Sequence, residues 1–122
     1  MRTLILTALL MTTLATSALA QSYPVSGRWG ESNSSEKGPI DCSRNRRIVD
    51  FSGNQRTDSN GGVPVYRNKS VQSVGQSDYR IVDEFSNGQV TLGQNEYTLR
   101  KIDSDHIVIN QSGTVLNLQR CK

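Results

Sequence analysis

A chain of 122 residues with 14 basic and 11 acidic side chains has room for one domain, and its net charge of +3 is too weak to favour nucleic acid or membrane surfaces. Beyond the first twenty residues only 29 of 102 side chains are apolar, enough to fill a small core and too few to line a large cavity.

Met1–Ala20 has the pattern of a cleaved secretory signal peptide. Arg2 supplies the positive start, Leu4 to Met11 the short apolar run, and Ala18-Leu19-Ala20 the small residues before the cleavage point. The run is too short and too broken by Thr to span a bilayer. The expected product is a single domain over residues 21–122, periplasmic or secreted, with no membrane insertion.

From the new N-terminus, Gln21-Ser22-Tyr23-Pro24-Val25 reads as a stiff extended arm, and Gly27-Arg28-Trp29 opens the first strand. Glu31–Pro39 is a polar loop. Arg44, Arg46 and Arg47 then form a small basic cluster, tempered by Asp41 and Asp50, before the strand Arg47–Phe51 with Val49 and Phe51 inward. Ser52–Gly62 has the composition of a second long mobile loop with no buried element. Val63–Tyr66 and Ser70–Val74 are short strands, the first at an edge because of Pro64.

The second half has a clearer rhythm. Tyr79, Ile81 and Phe85 share one face of Asp78–Phe85. After the turn Ser86-Asn87-Gly88, Val90 and Leu92 alternate, and Gly93-Gln94-Asn95 turns again. Tyr97 and Leu99, Ile107 and Ile109, and Leu116 and Leu118 mark three further strands, separated by Asp103-Ser104-Asp105 and Asn110-Gln111-Ser112-Gly113. Period-two apolar spacing with turn residues about every ten positions predicts an antiparallel meander of about eight strands. Closure into a small up-and-down barrel removes its edges. Val65 completes the expected inward set. In a meander the two long loops would fall at opposite ends, the first sharing its end with Asn68-Lys69, Ser86–Gly88 and Asp103–Asp105.

Two cysteines, Cys42 and Cys121, lie in the exported part without CxxC spacing or neighbouring histidines, so the expectation is one structural disulfide. Closing so long a loop contributes roughly 4–5 kcal/mol in the chain-entropy description.

The Gly27-x-Trp29 start, the meander and the Arg120-Cys121 ending resemble the calycin group of lipocalins, fatty-acid-binding-like barrels and small periplasmic metalloproteinase inhibitors. They also resemble short uncharacterised exported bacterial proteins. The resemblance implies that Trp29 closes the bottom of the barrel under a basic residue of the last strand. Arg120 is the first choice for that residue and Arg100 the second.

Catalytic chemistry finds little support. The single histidine, His106, follows Asp103-Ser104-Asp105 in what reads as a capped hairpin turn. Ile107 and Val108 occupy the places where a calcium loop needs Asn or Asp and then Gly, and zinc lacks a ligand set. The expectation is a non-enzymatic binding protein of the cell envelope without cofactor or metal, and a protein partner is favoured over a small apolar ligand. Gln21, Tyr23 and Pro24, entering a partner's cleft in inhibitor fashion, and Arg44, Arg46 and Arg47 are its candidate contacts. A ligand-carrying barrel and a structural envelope protein without a discrete site are the alternatives.

Overall fold

The computed structural model describes residues 22–45, 47–89 and 91–122. The signal segment Met1–Ala20, together with Gln21, Arg46 and Val90, lies outside the described residues. Eight strands run in chain order: β1 (Gly27–Glu31), β2 (Ile48–Ser52), β3 (Gln55–Asp58), β4 (Tyr66–Ser73), β5 (Asp78–Phe85), β6 (Gly93–Asp103), β7 (His106–Gln111) and β8 (Thr114–Arg120). Each pairs antiparallel with its sequence neighbours, and β8 returns to β1, giving a closed all-β barrel with no helix among the described residues.

Alternation makes the strands and decides what they bury. The registers Leu99↔Ile109 and Ile109↔Leu116 stack the inward residues of β6, β7 and β8 into one layer. Trp29, Val49, Phe51, Ile81, Leu99, Ile107 and Leu118 are at most 1% exposed, and each such burial is worth about 1.5–3 kcal/mol. The outward positions are mostly polar, among them Arg28, Thr57, Arg80, Glu96 and Asn117. Ser112 and Gly113, both at positive φ, form the two-residue hairpin between β7 and β8.

Four expectations need correction. Ser52–Gly62 is not one loop, because Gln55–Asp58 forms β3. Its inward side chains are Arg56 and Asp58, which an ion-pair cluster keeps inside. Val63–Tyr66 and Ser70–Val74 are not two strands. A single β4 starts at Tyr66 and absorbs Asn68-Lys69 through a bulge between Asn68 and Ser70. Gln89–Leu92 is not a strand, and Gly93-Gln94-Asn95 is not a turn. The β5–β6 ladder pairs Phe85 with Gly93, where the glycine leaves room for the Phe85 ring, so β6 starts there and the described residues 86–89, 91 and 92 lie in a loop. Val65 and Leu92 consequently stand 37% and 66% exposed on loops instead of facing the core.

Connections alternate between the two ends of the barrel. The base carries the first and last described residues, Ser22 and Lys122, with Gly53-Asn54, the β4–β5 link and Ser104-Asp105. The mouth carries the loops after β1, β3, β5 and β7. Because β3 splits the second polar stretch, the part after Asp58 lies at the mouth with the β1–β2 loop, and Asp103–Asp105 lies at the opposite end. The expected distribution of the loops is thus reversed for both.

The β1–β2 loop does not stand free at the mouth. It doubles back along the outside of β8: the Ser32 N–H donates to Asn117, Ile40 pairs with Cys121, and the Cys42–Cys121 disulfide pins the far end. Gln119, pointing outward yet only 1% exposed, donates to the Glu36 and Gly38 carbonyls and accepts from Ser32. Gly30 leaves space for this strap, since a Cβ there would lie 2.7 Å from Asn45 Nδ2 and 2.8 Å from Cys42 Sγ.

Candidate functional site at the mouth of the barrel

The base is sealed. The Arg120 guanidinium lies 4.4 Å over the Trp29 ring and donates to the carbonyls of Ser26 and Ser104. Arg100, the other choice for that place, pairs instead with Asp78 on the surface. His106 meets Asp103 within the β6–β7 turn, where Asp103 also caps the Asp105 N–H. These bonds hold the Asp103 carboxyl below the usual carboxylate range, His106 contributing most.

Tyr23 seals the rest of the base. It is 7% exposed, stacks edge-on against Phe51 at 5.0 Å, and hydrogen-bonds through its backbone N–H to Gly53. Val25 packs on the same core. The expected free arm is therefore built into the barrel as far as these residues. A tyrosine beside a proline carries no marker that separates a core plug from an exposed anchor, and the expectation of an exposed contact is corrected for Tyr23, which belongs to the core.

Mid-barrel, a charged network replaces apolar packing. Asp83 is fully buried on β5. It accepts from the Tyr23 hydroxyl at 2.9 Å, Arg56 Nε at 2.9 Å, the Tyr97 hydroxyl at 3.0 Å and Asn68 Nδ2 at 3.4 Å. Arg56, 6% exposed, lies between the rings of Tyr66 and Tyr97, 4.0 and 5.0 Å from their centroids. Burial, aided by the Asp83 charge, pushes the Tyr23 and Tyr97 hydroxyls above the ordinary phenol range. These phenols are donors fixed in the protonated form.

Above this layer the mouth opens into a cup of about 330 Å³, whose lining includes Arg47, Arg56, Asp58, Tyr97, Gln111 and Thr114. Arg47 donates from Nε and Nη2 to both carboxylate oxygens of Asp58, at 3.1 and 2.8 Å, and this contact raises the Arg47 pKa. A second depression at the mouth end is of mixed character: Pro64 and Val65 of the β3–β4 loop, Phe85 at the end of β5 and Leu92 of the β5–β6 loop line it together with Arg67, Glu84, Ser86 and Thr91. Of the basic cluster, Arg47 reaches the cup and Arg44 is exposed on the strap.

Sequence reasoning missed Arg56, Asp58 and Asp83. The signal was present in β5, where the inward series Tyr79, Ile81, Phe85 runs through Asp83 at the same parity. Among the described residues no three metal-ligating side chains converge. No helix of the described residues is long and apolar enough to cross a membrane. The chain matches no protein-family model, no curated protein and no solved structure at a significant level.

Proposed function

We propose that this chain is an exported, non-catalytic interaction protein that uses a calycin-like barrel as a rigid scaffold and docks a partner protein with its mouth. The carrying observation is that the base is sealed and the mouth is open, since exposed apolar side chains occur near both ends, Val65 and Leu92 at the mouth and Val74 and Ile102 near the base. The base is closed by Trp29 under Arg120 and by Tyr23. The mouth presents Val65 and Leu92, both exposed, on neighbouring loops beside a polar cup. Exposed apolar side chains grouped on loops of a rigid frame are typical of recognition surfaces.

The ligand-carrying alternative is less well supported. The barrel axis is filled by Trp29, Phe51, Ile81, Leu99 and Ile107, and the cup takes only Tyr97, Ile109 and Leu116 from the inward apolar set. That volume is at the lower limit for a small-molecule site, and much of the wall is charged. Apolar-inside, polar-outside patterning is also the reverse of a bilayer-spanning barrel, which favours a protein in water. The disulfide and the secretory pattern of Met1–Ala20 support an extracytoplasmic site of action.

Native mass spectrometry of the mature protein, drawn gently from its host's envelope fraction, tests this reading. A complex with one second protein, lost in a Val65→Ser/Leu92→Ser variant that keeps its fold, is the expected result. A bare monomer, or a small molecule of a few hundred daltons released on denaturation, would overturn it.

A further inference from the structure

Arg56 stands out among the groups lining the cup because it is almost wholly buried, already oriented, and still faces open space. Its Nε is committed to Asp83 below, and two tyrosine rings hold its plane. The nearest carboxylate beside the cup does not satisfy its outer edge. Asp58 Oδ2 stands 3.7 Å from Arg56 Nη1, too far for a hydrogen bond. Asp58 cannot simply swing closer, because both its oxygens serve Arg47, and Oδ1 also accepts from the Asn60 N–H at 3.0 Å.

We infer that the cup is a receptor for one carboxylate group of the docked partner, seated on the outer edge of Arg56 beside Arg47. This deepens the docking reading above and rests on it. The charges at the cup, Arg47 paired with Asp58 and Arg56 paired with Asp83, sum to zero, so the guest is held by the directed N–H groups of Arg56 and not by net charge, which suits a carboxylate monoanion better than a dianion facing Asp58 and Asp83. A planar guanidinium matches a carboxylate through paired N–H donors. Since Arg56 is locked by stacking and by Asp83, little side-chain freedom is lost when the guest arrives. Asp58 limits affinity: it holds the Arg47 fork and repels an incoming anion.

The test is titration of the folded mature protein with acetate, at ionic strength held constant with chloride, followed by the NMR signals of the arginine Nε–H groups. Saturable movement of the Arg56 signal is expected. Asp58→Asn should tighten acetate binding by about tenfold, because removal of one like charge next to the guest is worth at least that much. Arg47→Gln should weaken it. N-acetyl-leucine should bind and its amide should not if the guest is a chain end. An acetylated aspartate amide that binds as well would assign the guest to an acidic side chain. Movement of Arg56 that acetate and chloride produce equally, or unchanged acetate affinity in Asp58→Asn, would overturn the inference. Acetate failure with the partner complex intact removes the carboxylate receptor and leaves docking at the mouth standing. Acetate binding with no partner complex removes the partner as its source.

Discussion

Replacement of Asp83 by Ala is the most informative single perturbation of this barrel. Asp83 is fully buried, and its loss would strand the Arg56 cation, itself only 6% exposed, along with the donors of Tyr23 and Tyr97. Removing one partner of a buried ion pair costs about 3–5 kcal/mol. That is a large fraction of the roughly 5–15 kcal/mol that stabilises a domain. A paired replacement, Arg56→Met/Asp83→Leu, removes both charges and should recover much of that cost. Urea unfolding followed by the fluorescence of Trp29, the only tryptophan, reports both values. A loss below about 1 kcal/mol for Asp83→Ala, or a double variant no more stable than the single one, would refute the network as an obligatory charge pair.

Other consequences follow from the same geometry. Tyr23 and Tyr97 hold their protons more tightly folded than unfolded, so their contribution is complete below pH 10 and is lost as pH rises above the ordinary phenol pKa. Stability should fall above pH 10 by up to about 2.7 kcal/mol per pH unit for the two groups, with both phenols un-ionised by NMR until the barrel unfolds. Cys42→Ser/Cys121→Ser opens a cross-link between residues 79 apart and should cost about 4 kcal/mol in denaturant titrations. It should also speed amide exchange in the strap over 36–45. Gly30→Ala forces a methyl group against Asn45 and the disulfide and should lower stability by about 1–3 kcal/mol in thermal unfolding.

The apolar half of this fold was legible, because Ile81, Leu99, Ile107, Ile109, Leu116 and Leu118 alternate on strands whose inward faces are apolar. Cys42 and Cys121 were legible for a different reason: two thiols in an exported chain have little to do but pair. What escaped was the charged interior. β3 points Arg56 and Asp58 inward, so hydropathy reads it as loop, and only Asp83, caught among apolar residues on β5, hinted that a buried cation must exist to meet it. Val65 and Leu92 escaped for the converse reason. Two apolar residues in short polar surroundings imitate a strand, and the β3–β4 and β5–β6 registers assign Val65 and Leu92 to loops. The candidate site therefore combines the residues that periodicity misplaces, because it exposes the apolar Val65 and Leu92 and buries the charged Arg56 and Asp83.

The proposed docking requires the mouth, and not the base, of the barrel to meet a partner. Photo-cross-linking side chains placed at Leu92, at the mouth, and at Ser104, at the base, can be compared in the native host. A single discrete adduct from Leu92 and none from Ser104 is the predicted result, and an adduct from Ser104 alone, or from neither position, would contradict it.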